Sequence, residues 1–361
     1  MRKKLPMTVT ISGRDILRQL KADLIGKDSH RGVTLTYSWL ANQFGHISLG
    51  FIPTFIVYIF LSKKYPGHEA ALWSSISISV TWLLFETYNF LGPLLSNHQS
   101  RSKVLFIPKT NYTFPPAWTN IAFDTFTDLL FFWFGAFLSG LLCFYTMEGL
   151  IVLLILMAML IYPSRFWFLT KMYLQMAQYP YQFRLSQWDF TMSEKDKKIV
   201  NHFLNNKKQG LHLFLFGSKG SGKTSLSVAI ATELSIKHHA CVYTTAMKLY
   251  SMFFEPEITS VSNKNLWNWR SAAVLIIDDI NPGDPIKEEI VSPQLFLKFL
   301  DTFSINEANR EVMKSSNIIW VLGDRNDTKE AGQWQDMLKG IGVTDEKIMA
   351  INLSGKPRDG Y

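Results

Sequence analysis

Long apolar segments dominate the first half of the chain. Four of them, approximately residues 44–61, 71–91, 121–145 and 149–162, are apolar over lengths that can cross a bilayer. The last two are the most apolar and are joined by a short turn, which predicts a helical hairpin. The first two are less clear, because one contains Pro53 and the other is rich in serine; a buried core helix is the alternative for one of them. We therefore expect an α-helical transmembrane region of about four helices.

The second half alternates between short apolar runs and helical patterns, which is typical of an α/β domain with a parallel sheet. The predicted strands are residues 211–216, 240–245, 273–277, 317–322 and 347–353. The predicted helices are residues 223–236, 292–303 and 329–338. These patterns divide the chain into a basic N-terminal segment (1–45), the transmembrane region (46–170), an aromatic connector (171–205) and the α/β domain (206–361).

The loop after the first predicted strand has the spacing of a phosphate-binding P-loop. Its residues GSKGSGKTS fit the pattern G-x-x-x-x-G-K-[ST] with nothing missing. Glycines allow positive φ and a close approach of the backbone, whose N–H groups then point at a polyphosphate. Lys223 would neutralise the β- and γ-phosphates, and the Thr224 hydroxyl would bind Mg²⁺, which predicts ATP and Mg²⁺ as cofactors. The predicted nucleotide contacts are Gly217, Ser218, Lys219, Gly220, Ser221, Gly222, Lys223, Thr224 and Ser225.

Two acids end the third predicted strand, in the run VLIIDDI. Asp278 would hold the Mg²⁺ shell, and Asp279 would orient or polarise the water that attacks the γ-phosphate. The fourth predicted strand is followed by Gly323, Asp324 and Arg325. Asp324 could contact the γ-phosphate or the water, so the sequence predicts an ATPase with Lys223, Asp279 and Asp324 as its catalytic residues.

From about residue 190 to residue 358 the chain resembles a group of AAA+ ATPases that includes the replication initiator DnaA, the helicase loader DnaC and the transposition helper IstB. The segments that carry the resemblance are IVNHFLNNKKQGLHLFLFGSKGSGKTSLSVAIATEL, CVYTTAMKLY, VLIIDDI, GDR and INLSGKPR. The resemblance implies an AAA+-like fold that binds ATP.

Two departures from that group concern hydrolysis. Where the group places an arginine finger, this chain offers only Lys339, and a lysine does not form a bidentate fork. We also expect no helical lid domain after the fifth strand; Arg358 is a candidate for the lid arginine, and Arg325 is a further candidate cation. Nucleotide binding is therefore predicted, whereas hydrolysis activated by a neighbouring subunit is left open.

The net charge of +8 belongs almost entirely to the first half of the chain, since residues 1–179 hold 15 Lys or Arg and 8 Asp or Glu. The charge therefore does not indicate direct nucleic-acid binding by the α/β domain. Basic residues precede the first apolar segment, separate the second from the third and follow the fourth; Lys63 and Lys64, after the first, are the exception. By the positive-inside rule both termini are cytoplasmic, in a multi-pass protein of the inner membrane with lipid as a partner.

Three acids lie in or beside the apolar segments: Glu86, Asp124 and Asp128. Carboxylates inside a membrane are costly and are functional candidates; the alternative is that they lie at the level of the headgroups.

Residues 12–25 carry apolar positions on one helical face, which predicts an amphipathic helix on the inner leaflet or against the ATPase domain. The connector is rich in aromatic residues and nearly lacks Gly and Ser, so we expect it to extend the fourth helix and to pack rather than act as a flexible tether.

Together these features favour a membrane-anchored ATPase that acts as a nucleotide-dependent switch or assembly factor, with a homo-oligomer or an operon-encoded protein as its partner. Two alternatives stay open. The three acids would suit a transporter or pore gated by nucleotide. The resemblance would suit a membrane-tethered helper that recruits a DNA-acting partner in a defence, transposition or conjugation module.

The predicted topology can be measured with a reporter that is active only outside the cytoplasm. Fusions after residue 30, 105 or 361 should be silent, and fusions near residue 66 or 147 should be active, because positive loops stay inside. An active fusion at the C-terminus would mean an odd number of crossings and would contradict the predicted orientation.

Overall fold

The computed structural model describes residues 10–24, 34–98, 112–206, 210–253, 266–281, 291–301, 306–323 and 328–353. The chain folds into two units. The helical unit comprises Gly13–Asn111 and Pro116–Leu169. The P-loop unit comprises Met1–Ser12, Tyr112–Pro115 and Thr170–Tyr361.

The helical unit contains the predicted apolar segments as long helices. Its helices are α1 (Gly13–Leu24), α2 (Leu35–Leu61), α3 (Gly67–His98), α4 (Trp118–Cys143) and most of α5 (Met147–Met176). Among the described residues, three helices, α2, α4 and α5, are long and apolar enough to cross a membrane. Four apolar helices were predicted. The predicted segment 71–91 is also helical, in α3, but its serines and Glu86 lower its hydropathy below that of the other three.

Helices α2 and α4 touch through their backbones. A Cβ atom added at Gly50 would overlap the carbonyl oxygen of Phe132, and one added at Gly135 would overlap the carbonyl oxygen of Ile47. Aromatic residues join α3 to α4: the Trp82 ring stacks on Phe132 at 4.1 Å between ring centroids, and the Trp133 indole N–H donates to the Ser79 carbonyl at 3.0 Å. Small residues at helix crossings allow this close approach and so increase van der Waals contact between the helices.

The amphipathic helix α1 is tied to α2 by a buried carboxylate. Asp23, 8% exposed, accepts hydrogen bonds from the Thr36 backbone N–H at 3.1 Å and the Thr36 hydroxyl at 2.7 Å. The sequence pattern did not reveal this contact, because it joins side chains of two different helices that are 13 positions apart in the chain.

The P-loop unit holds a five-stranded parallel sheet in the order β2-β3-β4-β1-β5, which confirms the predicted α/β class. The strands are β1 (His212–Gly217), β2 (Cys241–Thr245), β3 (Val274–Ile280), β4 (Asn317–Leu322) and β5 (Ile348–Leu353). The helices are α6 (Glu194–Asn205), α7 (Lys223–Ile236), α8 (Ala246–Phe253), α9 (Pro293–Asp301), α10 (Asn306–Ser315) and α11 (Thr328–Gly340). Helices α6, α8 and α10 were not among the predicted elements.

Hydrophobic side chains cover both faces of this sheet. Along β1, Phe214 packs into one core with Trp320 of β4, whereas Leu213 and Leu215 pack into the other with Val200 of α6. Successive side chains of a strand point to opposite faces, so a strand buried on both faces has a continuous apolar sequence. This explains why the run before the P-loop is uniformly apolar.

The connector packs on the P-loop unit. Helix α5 continues to Met176, and the chain then places Leu185 and Trp188 in the core on one face of the sheet. Arg184 forms an ion pair with Glu233 of α7, with 2.7 Å between Nε and Oε1. The connector is therefore held on the P-loop unit by buried apolar side chains and by this ion pair.

The contact between α2 and α4 yields a prediction about stability. Gly135→Ala should lower the free energy of unfolding by about 1–3 kcal/mol, because the added methyl group overlaps the backbone of α2 and forces the helices apart. Thermal unfolding in detergent measures the change. Gly45→Ala is the matched control, since nothing lies within 4 Å of a Cβ at that position of α2. Equal melting temperatures for the two variants would contradict the close packing.

Candidate functional site

The loop from β1 to α7 contains three glycines with positive φ: Gly217 at 140°, Gly220 at 77° and Gly222 at 82°. Side chains are also excluded at two of them. A Cβ at Gly217 would overlap the backbone of Leu353 in β5, and a Cβ at Gly222 would lie 2.8 Å from the ring of Phe190. These close approaches give the loop one conformation, which turns the chain into the N-terminus of α7, a favourable place for an anion.

Polar groups of the loop surround that helix N-terminus. The Lys223 ammonium donates to the carbonyl oxygens of Gly217 at 2.8 Å and Ser218 at 2.9 Å, so its charge lies against the backbone at the start of the loop. The Ser225 hydroxyl donates to the Gly222 carbonyl at 3.0 Å.

The buried Ser221 hydroxyl has no hydrogen-bond partner among the described residues. Ser218, Lys219 and Gly220 form the exposed tip.

The structure brings Asp278 of β3 to Thr224 of α7. The Thr224 hydroxyl donates to Asp278 Oδ1 at 3.2 Å, and the backbone N–H of Asp279 donates to the same oxygen at 2.8 Å. Asp278 is only 2% exposed, so its carboxylate is held in one orientation by these donors. A hydroxyl and a carboxylate are hard oxygen ligands, which suit Mg²⁺ held by one or two protein groups together with phosphates.

The second acid, Asp279, has an unusual backbone. Its φ is 55°, in the left-handed region that non-glycine residues rarely adopt, and the pairing of β3 with β4 shifts register between Ile277 and Ile280. The side chain of Asp279 is more exposed than that of Asp278 but remains partly shielded from water. Partial burial and the neighbouring Asp278 carboxylate raise the pKa of Asp279, which makes it a stronger proton acceptor.

Sequence reasoning missed Tyr243, which contacts the same site. Its hydroxyl donates to Asp278 Oδ2 at 2.7 Å. Burial, followed by the charge of Asp278, raises the pKa of Tyr243 far above its ordinary value, so the hydroxyl remains a donor. Strand β2 pairs with β3 in the register Tyr243 to Ile276, which brings the tyrosine beside the acid strand. Only a knowledge of the strand order could have predicted this neighbour.

Strand β4 lies between β1 and β3, and its end meets the end of β3. The Gly323 N–H donates to the Ile280 carbonyl at 2.7 Å, and a Cβ at Gly323 would overlap the carbonyl oxygen of Asn281. The residues that follow, Asp324 and Arg325, lie outside the described residues, as does Arg358. Their predicted roles stay predictions.

The remaining described candidates are Lys339 and three acids of the helical unit. Lys339, in the last turn of α11, forms an exposed ion pair with Asp345, with 2.8 Å between Nζ and Oδ1. Glu86, Asp124 and Asp128 belong to the helical unit. Asp128 there lies 3.5 Å from Nδ1 of His46 on α2, a partner that sequence analysis did not identify.

Aromatic residues from two distant parts of the chain cover the P-loop. The Trp188 indole N–H donates to the Gly222 carbonyl at 3.0 Å, and the Phe190 ring lies against Gly222. Phe114, from the short segment between α3 and α4 that belongs to the P-loop unit, packs on Trp188 at 6.0 Å between ring centroids. The neighbouring Thr113 hydroxyl donates to the Phe190 carbonyl at 2.6 Å. We call Phe114, Trp188 and Phe190 the aromatic cluster.

Comparison with known proteins identifies the type of the P-loop domain. Residues 164–302 match the family of IstB-like ATP binding proteins, which confirms the resemblance predicted from the motifs. The match begins within α5 and includes the connector. No curated protein matches the chain.

Two solved structures are similar to part of the chain. A crystal structure of DnaI is 18% identical and covers 51% of this chain and 92% of its own, with a TM-score of 0.31. A crystal structure of the DnaC helicase loader is 16% identical and covers 51% of this chain and 99% of its own, with a TM-score of 0.30.

The site geometry predicts separate effects for its lysine and its second acid. Lys223→Ala should weaken ATP binding by about 100-fold, because charged hydrogen bonds to phosphate are lost. Asp279→Asn should leave binding intact and slow hydrolysis by about 100-fold or more, since Asp278 and Thr224 remain. Binding is measured with a fluorescent ATP analogue and turnover by phosphate release. Lys237→Ala, at the other end of α7, is the control; Lys223→Ala protein with the affinity of this control would refute the site.

Proposed function

We propose that this protein is a membrane-anchored ATPase that acts as a nucleotide-dependent switch or assembly factor. The observation that carries the proposal is the hydrogen bond of 3.2 Å between Thr224 and Asp278, which places a P-loop hydroxyl and a strand-end carboxylate around one position. The IstB-like match of residues 164–302 supports ATP as the nucleotide.

In this proposal each part of the site has one task. The N–H groups of the P-loop and the Lys223 ammonium bind the phosphates, while Thr224 and Asp278 hold Mg²⁺. When bound, Mg²⁺ supplies positive charge that stabilises the phosphoryl oxygens during transfer. Asp279 orients the attacking water and accepts its proton, since its carboxylate is exposed and directly follows Asp278 in the chain.

Membrane anchoring is supported by the exposed apolar side chains of the helical unit. Leu142 is 70% exposed, Ile161 69% and Leu84 66%. Large contiguous apolar surfaces are rare on soluble monomers, and they suit contact with lipid. Together with the distribution of Lys and Arg, this supports a multi-pass protein of the inner membrane with both termini in the cytoplasm, an orientation that requires α3 to cross the membrane along with α2, α4 and α5.

The switch function rests on the aromatic cluster. The Trp188 indole donates a hydrogen bond to the P-loop, and Trp188 follows α5 in the chain, whereas Phe114 lies four residues before the start of α4. A conformational change at Gly222 on nucleotide binding would therefore act on two segments that lead into apolar helices. Such coupling requires different contacts in the two nucleotide states, which the Trp188 hydrogen bond can provide.

Two other functions each have one supporting observation. A nucleotide-gated transporter or pore is supported by the pairing of Asp128 with His46 between α2 and α4. A membrane-tethered helper that recruits a DNA-acting partner is supported by the IstB-like match. Pull-down of a helicase, nuclease or transposase would favour the helper, and ion flux in liposomes would favour the pore.

The switch can be tested through the two cysteines of the chain. Cys241 is buried and Cys143, at the end of α4, is partly accessible, so a maleimide should label Cys143. ATP should change the labelling rate of the wild-type protein about fivefold or more. Phe114→Ala should retain ATP binding and lose this change, because the packing between Phe114 and Trp188 is removed.

Phe299→Ala is the matched control, since it removes a ring of the same size from the core on the other face of the sheet. This variant should respond to ATP as the wild type does. A labelling rate that ATP leaves unchanged in the wild type, or changes equally in Phe114→Ala, would refute the switch.

A further inference from the structure

The hydroxyl of Tyr243 lies at the carboxylate that the proposed function assigns to Mg²⁺. We propose that Tyr243 is a positioning residue, which holds Asp278 in the orientation that binds the metal of the nucleotide complex. This inference rests on the proposed function and adds a residue that the P-loop and strand-end motifs do not contain.

The contacts of Asp278 divide between its two oxygens. Oδ1 accepts from the Thr224 hydroxyl at 3.2 Å and from the Asp279 N–H at 2.8 Å. Oδ2 accepts from the Tyr243 hydroxyl at 2.7 Å, the shortest of the three bonds. A carboxylate bound at both oxygens cannot rotate freely about its terminal torsion. Tyr243 therefore removes the motion that would turn Oδ1 away from Thr224.

Tyr243 is itself held from two sides. Strand β2 pairs with β3 in register from Cys241 to Thr245, and the backbone N–H of Tyr243 donates to the Ala177 carbonyl at 2.8 Å. Ala177 is the first residue after α5 and is completely buried. One residue thus joins the end of α5, through its backbone, to the metal-binding carboxylate, through its side chain.

The role proposed for Tyr243 affects the affinity of the site for Mg²⁺ rather than its affinity for the nucleotide alone. Partners that orient a ligating carboxylate typically raise metal affinity by about 10- to 100-fold. Tyr243→Phe removes one hydroxyl and keeps the ring that packs in the core. ATP binding without metal depends on the P-loop and Lys223, so it should be unaffected.

The test compares ATP affinity in saturating Mg²⁺ with ATP affinity in EDTA, on the full-length protein in detergent. The ratio of the two affinities isolates the contribution of the metal. In Tyr243→Phe this ratio should fall by about tenfold, while the affinity in EDTA stays within about twofold of the wild-type value. Retained affinity in EDTA also shows that the variant is folded, and a purely structural role for the tyrosine would lower both affinities alike.

Tyr250→Phe is the matched control. It makes the same chemical change in the same domain, and the Tyr250 hydroxyl has no hydrogen-bond partner among the described residues. Its ratio should equal that of the wild type. A wild-type ratio in Tyr243→Phe, a ratio lowered equally in both variants, or no gain from Mg²⁺ in the wild type would overturn the role of Tyr243. Absence of ATP binding by the wild type in either condition would instead overturn the proposed function.

Discussion

The close packing of the P-loop backbone is the constraint on which the rest of the site depends. Gly217 is pressed against Leu353 of β5, and Gly222 is pressed against Phe190 of the connector, so a side chain fits at neither position. The loop then has one course into α7, which directs Lys223 across the loop and Thr224 towards Asp278. Phosphate and metal chemistry at this site is therefore a consequence of where β5 and the connector lie.

The connector is consequently part of the nucleotide-binding domain and not a tether to it. Its residues contribute to the core, bond to the P-loop carbonyl of Gly222 through Trp188, and bond to Tyr243 through Ala177. These contacts surround both the phosphate loop and the metal-binding carboxylate. In the proposed switch, a nucleotide that changes either group would change the contacts of the segment that follows α5.

In the helical unit, packing depends on close contact between helix backbones rather than on a buried sheet. Its helices approach through Gly50 and Gly135, and its exposed surface is apolar. Hydropathy located all four long helices from the sequence, because a long apolar run is a local property. It grouped α3 with the other three, although the serines and Glu86 lower the hydropathy of this helix, which packs against α4.

The sequence by itself determined the P-loop, the acid pair Asp278 and Asp279, the α/β class and the resemblance to IstB-like domains, because each is encoded in neighbouring residues or in a simple period. The sequence analysis missed some short helices. Helix α8 is one of them, because it follows β2 with no turn residues that would mark its start. Only the tertiary structure decided that Tyr243 bonds to Asp278 and that Phe114 and Trp188 meet at the P-loop. Those contacts join residues far apart in the chain, and they depend on strand order and packing, which no local pattern specifies.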